Sequence, residues 1–183
     1  DAAKLVNSSG GDWGYVTLVI QDDDRDLGKW QRVFNDMRAL HLIPIVRLAT
    51  HTDRDAWVTP YKDSAKDWAR FLNELNWPTE NRYVVVFNEP NHANEWGRTI
   101  NPEEYATTLL EHAQKLHEAS EDFFVLPAGL DVSAASDSRS LDAAVYLRRM
   151  IAAEPQLFDH LDGWTSHSYP NPGFSGSPYA VGR

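Results

Sequence analysis

Five strand-like segments alternate with helical stripes along this chain, and that alternation confines it to an α/β fold. The segments begin near residues 15, 43, 82, 123 and 163, at intervals of 28, 39, 41 and 40 residues. Each interval holds one strand and one crossover helix, and a crossover of that kind makes neighbouring strands parallel. The chain opens on the tail of a helix over 1–9, ended by Gly10-Gly11. Tyr15–Gln21 and Ile43–Thr50 read as the first two strands. Between them Trp30, Val33, Phe34, Met37 and Leu40 form a helical stripe, with Asp22-Asp23-Asp24 expected at its start. Ala65, Trp68, Phe71, Leu72 and Leu75 predict a helix over 63–75. Asn101, Pro102 and Glu104 carry the start signals of another, whose stripe is Tyr105, Leu109, Ala113 and Leu116. Phe123–Leu130 predicts a fourth strand, 140–152 a helix, and Gly163–Tyr169 a fifth strand.

No strand is followed by a glycine-rich phosphate loop, so no nucleotide cofactor is expected. Strand–helix alternation with polar strand ends favours a barrel over a doubly wound sheet. A complete (β/α)8 (TIM) barrel takes about 250 residues and eight strands. The expectation is therefore a single partial barrel domain over 1–183, holding five strands with their helices.

The stretch Tyr83-Val84-Val85-Val86-Phe87-Asn88-Glu89-Pro90-Asn91 is the centre of the chain. Its β-branched apolar run suits a strand buried on both faces, predicted over 82–88. Pro90 cannot continue a ladder, which places Glu89 where strand gives way to loop. Barrels of parallel strands carry their chemistry on that edge, and a loop acid beside a turn-forming asparagine is the plainer alternative.

Composition narrows the partners. Seventeen basic against 27 acidic residues give a net charge of −10, unfavourable for nucleic acid or an anionic membrane. There is no cysteine, which excludes disulfides and thiolate metal sites. No apolar stretch approaches the ~20 residues of a membrane span. The start at Asp1-Ala2-Ala3-Lys4-Leu5-Val6 reads as the middle of a helix, and localisation stays open.

Val-Val-Phe-Asn-Glu-Pro-Asn at the end of one strand, with Ser166-His167-Ser168-Tyr169 two β/α units later, resembles the retaining glycoside hydrolases of clan A. That clan includes cellulase-, mannanase- and β-xylosidase-like families on (β/α)8 barrels. Its Asn-Glu pair ends strand four and a His-x-Tyr often lies on strand six, so the resemblance implies that this incomplete TIM barrel holds about strands two to six and lacks strand one and strands seven and eight. The resemblance implies Glu89 as general acid/base, Asn88 as a hydrogen-bond donor to the sugar 2-hydroxyl, and a carbohydrate ligand. It implies that His167 and Tyr169, on one strand face with Thr165, reach the sugar or orient carboxylates. Arg47, on a face with Ile43, Ile45 and Ala49, wants a carboxylate partner. The resemblance implies that it supports the nucleophile, which counts it among the substrate-binding residues, and an arginine at a strand end reaching solvent is the plainer alternative. A general acid has to hold its proton at working pH, through burial or a neighbouring negative charge. The clan's nucleophile is a glutamate ending strand seven, outside these 183 residues. Asp131 and Glu95 do not match its position.

Trp57, Trp96 and Trp164 lie near strand ends, where indoles either stack on sugar rings or pack locally. Trp96 and Trp164 are taken as substrate-binding candidates, whereas Trp30 and Trp68 sit on helix stripes and read as core. His51, His92 and His167 follow or end three strands. There is no His-x-His on a strand and no His-Glu-x-x-His on a helix, so no metal site is expected. Two functions stay open: a β-glycoside hydrolase using two carboxylates, and an inactive carbohydrate-binding or scaffold protein of the same ancestry. Five strands leave two open sheet edges, from which a homo-oligomer is expected.

Overall fold

The computed structural model describes residues 2–169, and the sequence-based domain limits of 1–183 extend outside that range. The chain runs α1 (Ala2–Val6), β1 (Gly14–Gln21), α2 (Leu27–Ala39), β2 (Leu42–Ala49), and a small hairpin of β3 (Thr52–Asp53) and β4 (Ala56–Trp57). It continues with α3 (Ser64–Glu74), β5 (Arg82–Val86), α4 (Pro102–Ala119), β6 (Phe123–Pro127), β7 (Leu130–Asp131), α5 (Ala143–Ala153) and β8 (Ser166–His167). The main sheet has the order β1-β2-β5-β6, with every pairing parallel. β7 pairs with β8, also in parallel, and carries the same order one strand further. This is an open portion of a (β/α) barrel.

Helices cover one face of the sheet. Ile20, Val46, Leu48, Val84, Val86 and Val125 are fully buried there against Phe34, Trp68, Leu72, Leu109 and Leu116. Trp30 and Trp68 belong to this layer, as their helical spacing indicates. The opposite, inner face is aligned across strands by register: Thr17 with Ile45, Ile45 with Tyr83, Tyr83 with Phe124. Tyr15, Tyr83 and Phe124 contact one another along it, at ring separations of 5.6 and 5.1 Å. At its open edge Tyr15 is 54% and Val19 41% exposed.

Three local expectations are corrected. α2 is capped by Asp26, whose carboxylate accepts the amide of Lys29 at 2.6 Å. The Asp22-Asp23-Asp24 run lies before it in a turn, and the Asp24 carbonyl takes the Trp30 indole N–H at 2.6 Å. β5 ends at Val86, because Phe87 turns to a positive φ of 71° that no extended ladder tolerates. The fifth strand shrinks to Ser166–His167. Side chains replace its ladder: the Asp162 carboxylate accepts the Val125 amide at 2.6 Å, and the Thr165 hydroxyl donates to the Pro127 carbonyl at 2.6 Å.

Where β5 and β6 end, Tyr105 of α4 is wedged between them. Its hydroxyl donates to the Val86 carbonyl at 3.0 Å and accepts the Ala128 amide at 2.7 Å, so both buried backbone groups are satisfied by one phenol. Burial keeps that phenol far from ionising.

His112, also on α4, is buried beneath Phe87, with its ring edge-on at 5.2 Å. Its Nδ1 donates to the Thr108 carbonyl at 2.7 Å, which leaves Nε2 to accept the Ser64 hydroxyl at 3.4 Å. Burial pushes its pKa down from 6.5 to about 4. The folded state therefore keeps His112 neutral while the unfolded chain takes up a proton below its ordinary pKa. Its contribution is full above pH 6.5 and is lost as pH falls toward 4, a loss of about 3 kcal/mol. Urea midpoints of the parent and His112→Gln between pH 7 and 4.5 check this: the parent should lose stability more steeply. The open inner face and β1 edge also predict that the 183-residue chain self-associates with rising concentration. Sedimentation velocity showing one monomer throughout would contradict that.

Candidate active site

Because the ladders joining β1, β2, β5 and β6 are all parallel, their C-terminal ends meet on one rim, and the polar residues of the central motif collect there. After Val86 the backbone leaves the sheet through two non-glycine residues at positive φ, Phe87 at 71° and Glu89 at 34°. Such conformations cost of order 1 kcal/mol or more each and persist where surroundings enforce them. Here Phe87 is locked in the core between Trp96 and His112. The loop beyond is pinned by Asn91, which is fully buried. Its amide nitrogen donates to the carbonyls of Asp131 and Leu141, both at 3.0 Å, and its oxygen accepts the Asp131 amide at 3.2 Å.

Glu89 faces β8 across the rim. Its Oε1 is 2.5 Å from His167 Nδ1 and takes the Tyr169 hydroxyl at 3.0 Å. Oε2 has no hydrogen-bond partner among the described residues. The imidazole is seated against Gly129, where an added Cβ would stand 2.6 Å from His167 Cδ2 and 2.8 Å from Nε2. A side chain at 129 and His167 in its present place are incompatible. Burial, reinforced by the bond to Glu89, pushes the Tyr169 phenol up, so it stays a donor.

Asn88 is held at both ends of its amide. Arg47 Nη1 donates to its oxygen, and its nitrogen donates to Glu95 Oε2 at 3.1 Å. Burial pushes the Glu95 carboxyl up; the Asn88 hydrogen bond opposes that shift and the nearby charge of Glu89 adds to it. Arg47, Asn88, Glu95 and Trp57 border a small cavity of about 20 Å³, and the Arg47 Nε buried beside it has no hydrogen-bond partner among the described residues. Glu89, Glu95, His92, Asn94, Asp131 and Tyr169 line an adjoining hollow of about 460 Å³.

The structure thus brings Glu89, Asn88, Arg47, His167 and Tyr169 together, and leaves two expected residues out. Trp96 is only 1% exposed, its ring set edge-on against Phe87 and Tyr105 and its N–H given to Glu104 at 3.0 Å. It is core, and its faces are closed to a sugar. Trp164 is 48% exposed but stands one residue out of phase with Thr165 and His167, beside Phe158, Leu130 and Ala144. It serves a different hollow. Sequence reasoning did not promote Glu95, His92 or Asp131, because only the loop geometry brings them to Glu89. Among the described residues, no group of three or more His, Asp or Glu side chains could hold a metal ion, and no helix is long and apolar enough to cross a membrane.

The architecture, a parallel sheet with crossover helices, is that of a portion of a (β/α) barrel. Among solved structures, the GH39 enzyme from Xanthomonas axonopodis pv. citri is similar at a TM-score of 0.60 and 14% identity. The alignment covers 92% of this chain and 37% of that one, so the chain spans little more than a third of the enzyme it resembles. No protein-family model and no curated protein matches it.

Gly129→Ala should push the imidazole off Glu89 while leaving the strands paired. In a crystal structure of the variant the His167 Nδ1 to Glu89 Oε1 distance should lengthen beyond hydrogen-bond range, and an unchanged distance would show that the glycine does not seat the ring.

Proposed function

We propose that this chain carries the acid/base half of a retaining β-glycoside hydrolase site, with the nucleophile glutamate supplied from outside these 183 residues. The observation that carries this reading is the arrangement around Glu89. His167 and Tyr169 both engage Oε1, so Oε2 alone is left to give a proton to a glycosidic oxygen and later to take one from water. A carboxyl that must alternate between acid and base profits from neighbours that hold one oxygen fixed.

Asn88 would stand beside it as the donor to the sugar's 2-hydroxyl. Arg47 and Glu95 prevent its amide from flipping, because each demands a different end of it. The charge of Arg47, unsatisfied at Nε, suits a site in which a second carboxylate arrives close by. The barrel likeness to a glycoside hydrolase supports the same substrate class, a β-linked carbohydrate.

The test offers the 183-residue protein dinitrophenyl β-glycosides of glucose, mannose and xylose, alongside NMR titration with the free sugars. Sugar-induced shifts at His167 and Tyr169 with only background hydrolysis are expected. Fast turnover abolished by Glu89→Gln would place both carboxyl groups within this chain. If sugars bind but a longer polypeptide that includes the missing strands is also inert, the reading moves to a non-catalytic carbohydrate-binding protein. No binding at all would overturn the carbohydrate reading.

A further inference from the structure

Beside Glu89 the rim carries a second built pair that the proposed chemistry does not use. His92 Nε2 lies 2.9 Å from Asp131 Oδ2, and the other oxygen of Asp131 accepts both the amide and the hydroxyl of Ser133, at 2.8 and 2.7 Å. Burial of Asp131 favours its neutral form, but the Ser133 and His92 hydrogen bonds outweigh it and hold the carboxyl below its ordinary range. An ionised Asp131 makes Nε2 the donor of this pair, and in the neutral imidazole tautomer that fits it the lone pair lies on Nδ1. That nitrogen has no hydrogen-bond partner among the described residues. The loop does not depend on the pair for its shape. The side chain of Asn91, the Leu141 amide on the Asn91 carbonyl at 2.9 Å and the Ala93 amide on the Arg139 carbonyl at 2.8 Å already clamp it. The His92 amide is in turn tied to the Glu89 carbonyl at 2.9 Å, which fixes its distance from the catalytic candidate.

His92 and Asn94 also form the shared wall of two hollows. On one side is the 460 Å³ space containing Glu89, and on the other a space of about 700 Å³ lined by the hairpin and the 137–140 loop. The second space offers Asp55 and Asp137 against Arg98 and Arg139, with Ser138 between them. Two carboxylates balance two guanidiniums, so this lining selects neither an anion nor a cation. Among the described residues its lining includes no Phe, Tyr or Trp ring for an apolar group. Closely spaced donors and acceptors of both kinds suit a neutral polyhydroxyl ligand.

We propose that His92, oriented by Asp131, is a further ligand-contacting residue, and that a bound carbohydrate continues past it from the Glu89 cleft into the second hollow. The ligand is then an oligosaccharide of two or more units, and His92 Nδ1 accepts a hydroxyl at the junction. Asp131 is a positioning residue. The inference rests on the carbohydrate reading and names the length of its ligand.

Calorimetric titration of the 183-residue protein with cellotetraose, mannotetraose and xylotetraose, each beside its monosaccharide, tests it. One tetrasaccharide should bind about tenfold tighter or more than its monosaccharide. His92→Ala and Arg139→Ala should erase most of that gain with little effect on the monosaccharide, and Asp131→Asn should erase part of it. His92→Asn, which keeps an acceptor near the Nδ1 position, should recover some of the gain; it also serves if the alanine variant folds poorly. Equal binding of the two lengths, or a length gain intact in the His92 variants, overturns the inference and leaves the carbohydrate reading standing. Failure of every sugar to bind overturns both.

Discussion

The parallel register of the sheet is the constraint on which everything at the rim depends. Gln21 lies opposite Ala49, Arg47 opposite Val85 and Val86 opposite Pro127, so successive strands finish close to level and their polar ends collect on one rim. Arg47 and Asn88 are 41 residues apart in sequence, and Glu89 and His167 are 78 apart, yet both pairs are in hydrogen-bond contact. An antiparallel arrangement would have sent alternate strand ends to opposite sides of the sheet. Crossover helices supply the parallelism, and the buried stripes of Trp68, Leu72, Leu109 and Leu116 hold those helices in place.

Within the rim, the polar groups form two hydrogen-bonded chains that face one hollow. Arg47 holds Asn88, Asn88 holds Glu95, and Glu95 shares its hollow with Glu89, which is held by His167 and Tyr169. Partly buried polar groups in such a chain restrict one another's orientation, and this keeps several charged side chains in one arrangement beside open space. The positive φ at Phe87 and Glu89 fits the same picture. The backbone gives up extended geometry where a carboxyl is aimed, and the core around Phe87 keeps it there.

Much of this was legible in the residues. Helical stripes and β-branched runs marked the main strands and helices, since burial of one face is a property of spacing alone. Asn101-Pro102 located the start of α4, where the Asn101 side chain accepts the Glu104 amide. The Asn-Glu pair and His-x-Tyr pointed to groups that prove adjacent. What could not be read was set by loop conformation. Glu95 and His92 reach the cleft through the turn after Pro90, and no period or spacing encodes that turn. Trp96 misled for the converse reason: position near a strand end says nothing about whether a ring faces inward, and Phe87 and Tyr105 enclose this one. The short β8 was overestimated because Asp162 and Thr165 bind the neighbouring strand through side chains, which an apolar pattern does not reveal.

Tyr105 gives the cleft an unexpected dependence on the outer layer. Its hydroxyl fills the gap between the ends of β5 and β6, taking the place of a direct bond between Val86 and Ala128. The spread of the two strands at the rim is therefore set by a helix on the far side of the sheet. A shift of α4 by a fraction of an ångström is transmitted through one rigid phenol to the spacing between the Glu89 loop and the Gly129 seat of His167. The width of the cleft is in this way adjustable from positions that do not line it, and changes accumulating on the helical exterior can alter its shape without altering a single residue of its lining.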